Sequence, residues 1–394
     1  MRTEQCILLD GRELGRHEGI ALSSFAFGPQ GQWAYAARHG SRWIAHSSKG
    51  DMGEWDGIGE MRFSPAGDRL AFEAEREGKW TVVVDGKPGP WQASLIAGTL
   101  VFSHDGGDFA YATDSAGKTR VFLDQRAYPE GASFDGVGAL HFDAGNLPAF
   151  AARRGDSAYA VWEGRFGRAY ASISGFALDA EGGPAYLAVR DGATYFISRE
   201  SESPPYASAR NLVLSTDGRA YAFIVRVEGG EAVIANGKAG PVFDAIPMPV
   251  FSADGKRWGC SGRVGKAWKV IADGVVIATE TWAGTPALGS GKRIAYAARR
   301  EGRMVVVVDG TAPKAWKFDL VLDDTILFSK HGDHWGCIAG RGSDEKLFFV
   351  VDGRPWKPVD MVEVAGVAVR QPSDGGKNML KEWMAAELEL AGER

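Results

Sequence analysis

Hydrophobic residues along this chain come in short runs separated by turns rich in glycine, aspartate and serine, and the runs repeat. One pattern recurs over nearly the whole length. It consists of an apolar strand, Phe-Ser-X-Asp-Gly, a strand of the form X-Ala-Tyr-X-Ala, an Arg/Gly turn, and a run such as Val-Val-Val-Asp-Gly. The best copies are FSPAGDRLAFEAEREGKWTVVVDG (63–86), FSHDGGDFAYATDSAGKTRVFLD (102–124) and FSADGKRWGCSGRVGKAWKVIADG (251–274). The first-turn glycine can be followed as Gly31, Gly67, Gly106, Gly145, Gly182, Gly218, Gly255, Gly291, Gly332 and Gly375, at spacings of 36 to 43 residues. A unit of that length with several turns predicts four short strands, the blade of a β-propeller. Asp-Gly and Asn-Gly supply the positive φ that tight hairpins require. The second strand alternates large and small, as in Trp33-Ala34-Tyr35-Ala36 and Ile294-Ala295-Tyr296-Ala297, which puts bulk on one face and alanine on the other. The third strand, such as Val305 to Val308, is apolar throughout, as expected of a strand covered on both faces. One blade cannot bury these faces alone, so the blades must stack.

The Phe-Ser-Pro/Ala/His-Asp-Gly and Val-Val-Asp-Gly elements, from about residue 7 to 375, resemble the TolB-type β-propeller repeat, a relative of the WD-repeat propellers. The resemblance implies an all-β propeller of four-stranded blades. It implies little about function, because that family includes translocation factors, peptidase gating domains and scaffolds. Its best-known members are periplasmic, whereas the first thirty residues here lack the apolar core of a signal peptide.

The chain opens at Cys6 with the third and fourth strands of a repeat and ends with a first-strand element, Val364 to Gly375. Nine complete repeats lie between, so the termini are expected to share a tenth, split blade in a single propeller over 1–375. A nine-bladed ring or two smaller propellers are the alternatives, with the weakest repeat, 176–210, as the junction in the latter case. Residues 376–394 form a separate tail. Within it Met379, Leu380, Trp383, Met384 and Leu388 fall at helical spacing and predict an amphipathic helix.

Composition narrows the class. With 45 basic and 50 acidic side chains the net charge is −5, which disfavours nucleic acid and anionic membranes as partners. No run reaches the roughly 18 apolar residues of a membrane span. Three scattered cysteines fit a reducing compartment, so a soluble cytoplasmic protein is expected.

Sites of chemistry are sparse. Residues 112–119 fit a relaxed phosphate-loop pattern but fall on a hairpin, where the required helix is missing. His331, Asp333 and His334 cluster in HGDHW, at a turn position where other repeats place Pro-Ala-Gly or Ala-Asp-Gly, and read as surface residues. His17, His39, His46, His104 and His141 lie on different elements, without metal-ligand spacing. Cys260 and Cys337 read as small buried hydrophobes. No Gly-X-Ser-X-Gly elbow occurs. No catalytic residue, metal site or cofactor is therefore assigned.

Two features remain. An arginine follows the second strand in eight of nine full repeats: Arg38, Arg76, Arg153, Arg190, Arg226, Arg263, Arg299 and Arg341. As a ring they would hold an acidic partner. The alternative is that Asp56, Asp135, Asp244, Asp319 and Asp360, on the connections between blades, neutralise them. The second feature is the tail, whose Leu380, Trp383 and Met384 would dock on a partner or on the ring itself. The expected function is a non-catalytic protein–protein interaction scaffold using one propeller face and the C-terminal helix. The alternative is a small-ligand-binding or loop-built enzymatic propeller. Its channel would be approached by Gly57-Ile58-Gly59, Ala97-Gly98, Gly136-Val137-Gly138 and Ser174-Gly175.

Overall fold

Turn chemistry sets the hairpins. Between third and fourth strands the first turn residue has positive φ in repeat after repeat: Asp85 (51°), Asp124 (46°), Asn236 (47°), Asp273 (52°), Asp309 (50°) and Asp352 (48°). Glycine follows each except Asp124, giving the paired positive φ of a two-residue hairpin. The same side chains do a second job. Their Oδ1 accepts the first N–H of the second strand, as Asp273 does from Trp258 at 3.1 Å and Asp309 from Ile294 at 2.9 Å. In the first turn, Phe-Ser or Leu-Ser, the serine is buried, and its Oγ accepts an N–H five residues on: Arg69 to Ser64, Asp108 to Ser103, Ala220 to Ser215 and Arg257 to Ser252.

A computed structural model of the chain describes residues 5–9, 12–199, 201–312, 317–329, 332, 334–340 and 347–358. They form an all-β structure of nine sheets with four or five antiparallel strands each, plus one two-stranded sheet. Within a sheet the strands follow sequence order, the meander of a propeller blade. The second sheet is representative, with strands Gly57–Phe63, Leu70–Arg76, Lys79–Val84 and Lys87–Pro88. Sheets 1 to 9 span 19–55, 57–88, 94–128, 136–166, 172–202, 209–243, 250–280, 287–318 and 320–358. The two-stranded sheet, Gln5–Leu9 with Arg12–His17, is the expected N-terminal pair. The split-blade strand at 364–375 and the helix of 376–394 lie outside the described residues.

The chain divides into two compact units, Met1–Leu178 with Gly182–Pro184, and Asp179–Glu181 with Ala185–Arg394. The division falls inside the repeat at 176–210. In each unit the sheets stack by the large-on-small rule that the alternation predicts. In the first, Ala34, Ala36 and Ala45 of sheet 1 receive Leu70, Phe72 and Met61 of sheet 2. In the second, Ala295 and Ala297 of sheet 8 receive Trp335 and Cys337 of sheet 9. Alanine on one face leaves the depth that the neighbour's ring fills, so little void remains.

A recurrent clamp joins successive sheets at the strand ends that carry the first turn and the turn between third and fourth strands. The residue before the second strand pairs with the turn aspartate of its own sheet, as Arg257 Nε does with Asp273 Oδ2 at 2.9 Å and Arg293 Nε with Asp309 Oδ2 at 2.7 Å. The same guanidinium reaches the next sheet, Arg257 Nη1 donating to the Arg293 carbonyl at 3.0 Å and Arg293 Nη1 to Gly332 at 2.7 Å. Arg69 repeats this in the first unit, pairing with Asp85 and donating to the Gly106 carbonyl at 3.1 Å. His334, of the HGDHW segment, stands in the clamp position of sheet 9, with Nδ1 2.6 Å from Asp352 Oδ2. Its neighbours His331 and Asp333 lie outside the described residues.

Candidate functional site

Strand register separates the arginines into two sets. Each second strand from sheet 1 to sheet 8 has seven residues, and Arg38, Arg153, Arg226, Arg263 and Arg299 occupy its sixth position, opposite Trp43, Ala158, Glu231, Trp268 and Met304. Arg76 and Arg190 occupy the seventh, opposite Lys79 and Ala193. Successive residues of a strand face opposite ways, so the two sets leave their sheets on different sides. Arg341 lies outside the described residues, as do Leu380, Trp383 and Met384.

The seventh position is a structural tie. Arg76 donates to the Glu54 carbonyl at 3.0 Å and lies 4.5 Å from the centre of the Trp55 ring, both on the preceding sheet. Arg300, also at the seventh position, pairs with Glu280 of the preceding sheet. Arg154 sits over Phe134 at 5.4 Å. Arg190 makes a bidentate pair with Glu202 of its own sheet, at 2.9 and 2.6 Å. The five sixth-position arginines are exposed. The connecting aspartates engage a different cation, the one that opens the preceding third strand: Asp56 with Arg42, Asp135 with Lys118 at 2.5 Å, and Asp319 with Arg303 at 3.6 Å. Asp56, Asp135 and Asp244 also accept N–H groups of the next sheet's hairpin, from Glu77, Gly155 and Gly265.

The described surface carries its most apolar edge on sheet 7. The outer strand there, Val275–Glu280, begins Val-Val-Ile, with Val275 63%, Val276 38% and Ile277 45% exposed. Other outer strands open on charged residues: Lys87, Arg126, Arg165, Lys238 and Arg354. Such charges guard sheet edges against unwanted pairing, and sheet 7 lacks that guard. A bulge at Ile277 interrupts the register, since Ile271 pairs with Val276 and Val270 with Ala278. A partner would therefore meet side chains here, not extend the ladder. Beside this edge a groove of about 550 Å³ runs between sheets 6 and 7, lined by Lys238, Gly240, Pro241, Trp258, Asp273 and Gly274. Trp258 lies against Gly240, where an added Cβ would come within 3.3 Å of the indole.

Two titratable clusters occur elsewhere in the first unit. In sheets 1, 3 and 9 a buried hydroxyl closes the bend of the first strand, Ser24, Thr99 and Thr325 accepting the N–H of Ala36, Ala112 and Ile338. Sheet 2 has no such hydroxyl bond. Glu73, at the fourth position of its second strand like those three residues, turns inward and accepts the Glu60 N–H at 3.2 Å. Burial pushes its pKa up to about 7, with the Glu60 charge adding to the rise while the Glu60 N–H and Arg62 oppose it. Gly59 has no side chain because a Cβ would come within 2.2 Å of Glu73 Oε2. The second cluster joins His17, Tyr35, His46 and Asp51 where the N-terminal hairpin meets sheet 1.

Sequence spacing contained one of these signals. Counted back from the second-turn residue, Arg38, Arg153, Arg226, Arg263 and Arg299 stand ten residues away from Ser48, Glu163, Asn236, Asp273 and Asp309, whereas Arg76 stands nine from Asp85. No spacing marked the meeting of His17 and His46, which are brought together by packing between two sheets.

The phosphate-loop pattern is a hairpin, Phe109–Ser115 turning through Ala116-Gly117 into Lys118–Leu123, with no helix following. Cys260 and Cys337 are buried free thiols, and burial pushes the Cys260 pKa up to about 12. Among the described residues no group of three or more His, Cys, Asp and Glu is placed to hold a metal ion, and no helix is long and apolar enough to cross a membrane.

No protein-family model matches the chain, and no match was found among curated proteins. Solved structures similar to it include a eukaryotic initiation factor, at 12% identity and a TM-score of 0.44, covering 76% of this chain and 89% of that one. The β-propeller domain of the trilobed protease from Pyrococcus furiosus is similar at 10% identity and a TM-score of 0.33, covering 86% and 98%. TolB from Acinetobacter baumannii is similar at 12% identity and a TM-score of 0.23, covering 71% and 62%. The propeller class itself is read from the sheets described above.

Proposed function

We propose that this protein is a non-catalytic interaction scaffold that binds a protein partner on the outer edge of sheets 6 and 7. The observation that carries this reading is the Val275-Val276-Ile277 edge, exposed and uncharged, beside the Trp258 groove. Exposed apolar side chains that adjoin a groove lined in part by Trp258 supply the apolar centre a protein interface needs. Lys238, which lines the groove, favours a partner segment bearing a carboxylate next to its apolar residues. The five exposed sixth-position arginines extend the same preference for acidic partners, and Leu380, Trp383 and Met384 are a second candidate docking element.

The test compares what co-purifies from the native host with the full chain, with Val275→Lys/Ile277→Lys, and with a chain stopped after Gly375, all checked by thermal melting. A partner kept by the full chain and lost by the folded double-lysine variant supports the edge as the docking surface. Loss only on truncation moves the docking element to the tail. Identical retention by all three removes both elements as binding sites.

A further inference from the structure

We propose that the N-terminal hairpin, Gln5–Leu9 with Arg12–His17, is an acid-released latch on sheet 1, with the His17–His46 pair as its sensor. Among the described residues the hairpin pairs as a two-stranded sheet. Among the described side chains its apolar contact with sheet 1 brings Ile7 and Leu14 against Ile20, Phe25, Trp33, Tyr35 and Ala37. Polar contacts complete the seal. His17 Nε2 lies 3.2 Å from the Tyr35 hydroxyl, and Gln5 Oε1 accepts the Ile20 N–H at 2.7 Å. Gly15 leaves room for the imidazole, since a Cβ there would come within 2.8 Å of His17 Nε2.

The two rings stand 5.0 Å apart, centre to centre, one on each side of the contact. Asp51 is the carboxylate that faces them, with Oδ1 2.6 Å from His46 Nδ1. One carboxylate can accommodate one imidazolium, but two adjacent imidazolium rings repel each other across the seam. Among the described residues, the group that opposes part of that repulsion at His17 is Asp51. His39, on sheet 1, acts on His17 in the same direction as His46. Glu13 is paired with Arg16 on the hairpin, Glu18 accepts the Gly40 N–H, and Arg38 Nη2 donates to the Glu18 carbonyl. Tyr35 is neutral throughout the range, its pKa raised by burial and by Asp51.

The direction of linkage follows. Burial first, and then the His46 charge, lower the His17 pKa below its ordinary value of 6.5. The docked state therefore binds fewer protons than the released state, so docking is fully favoured above pH 6.5 and is lost as pH falls through the ordinary and then the lowered value. Release would uncover Trp33, Tyr35 and Phe25.

Hydrogen exchange of residues 5–17 in the full chain, corrected for the intrinsic pH dependence, tests this between about pH 7.5 and 5. Exchange is expected to accelerate by about severalfold on acidification, in the direction that a lowered imidazole pKa in the docked state requires. Sheet 8 in the same sample should stay unchanged. His17→Gln keeps a polar partner for Tyr35 but takes no charge, and should remain protected at both ends. His46→Gln removes the repelling ring and should move release to lower pH. Flat protection in the unmodified chain overturns the latch. Acid release that persists unchanged in both variants overturns the histidine pair as its sensor.

Discussion

At the residue scale, recurrence and chemistry pull apart. Arg76 and Arg263 both follow a second strand, yet Arg76 holds the Glu54 carbonyl and the Trp55 ring while Arg263 faces solvent one position earlier. Glu73 shows the converse, an acidic residue drawn into the core by a local vacancy in the repeat. Its pKa is raised from 4.5 to about 7, so the folded state binds more protons than the unfolded state between those values. Glu73 therefore lowers stability progressively as pH rises from 4.5 through 7, and the penalty is complete above 7. Glu73→Gln can still accept the Glu60 N–H without the charge. It should raise stability at pH 8 by roughly 1–3 kcal/mol and flatten the pH dependence in this window, measured by denaturant unfolding at several pH values.

At the scale of the sheet, the alternation of large and small side chains decides how neighbours fit. Ala297 is fully buried on the shallow face of sheet 8, in the cluster that includes Trp335 and Cys337. Ala297→Leu adds volume where the neighbouring ring already sits and should cost about 1–3 kcal/mol by chemical denaturation, with the secondary structure intact by circular dichroism. The sheet edge obeys a different rule. The side chains of Val275 and Val276 contribute little to the core, so their replacement by lysine should leave the melting temperature nearly unchanged, unlike a change in the third strand one position inward.

At the scale of the whole molecule, stability resides in the faces between successive sheets, because each sheet buries its residues only against its neighbours. Val306 of sheet 8 lies in the cluster shared with Trp335, Cys337 and Val350 of sheet 9. Val306→Ala should loosen sheets 8 and 9 in hydrogen exchange by more than it loosens sheet 6 of the same unit, since sheet 6 meets sheet 7 through a separate cluster. Equal deprotection of sheets 6 and 9 would contradict this nearest-neighbour picture.

The sequence alone was enough for the repeat, the four-stranded blade and the large-and-small packing rule. Each of these is written in local chemistry: positive φ at Asp-Gly and Asn-Gly, a buried serine in the Phe-Ser turn, and a period of two along Ile294-Ala295-Tyr296-Ala297. The sites were less legible. A one-residue difference in register reverses the direction of a strand side chain, so the seven described arginines fell into two sets by a difference that shows in the sequence only as a spacing of ten against nine to the second turn. Only the tertiary structure placed His17 against His46 from different sheets, drew Glu73 to the Glu60 amide, and left Val275 to Ile277 uncovered beside Trp258. Those arrangements depend on which faces meet and what remains uncovered, and such long-range contacts have no fixed spacing along the chain.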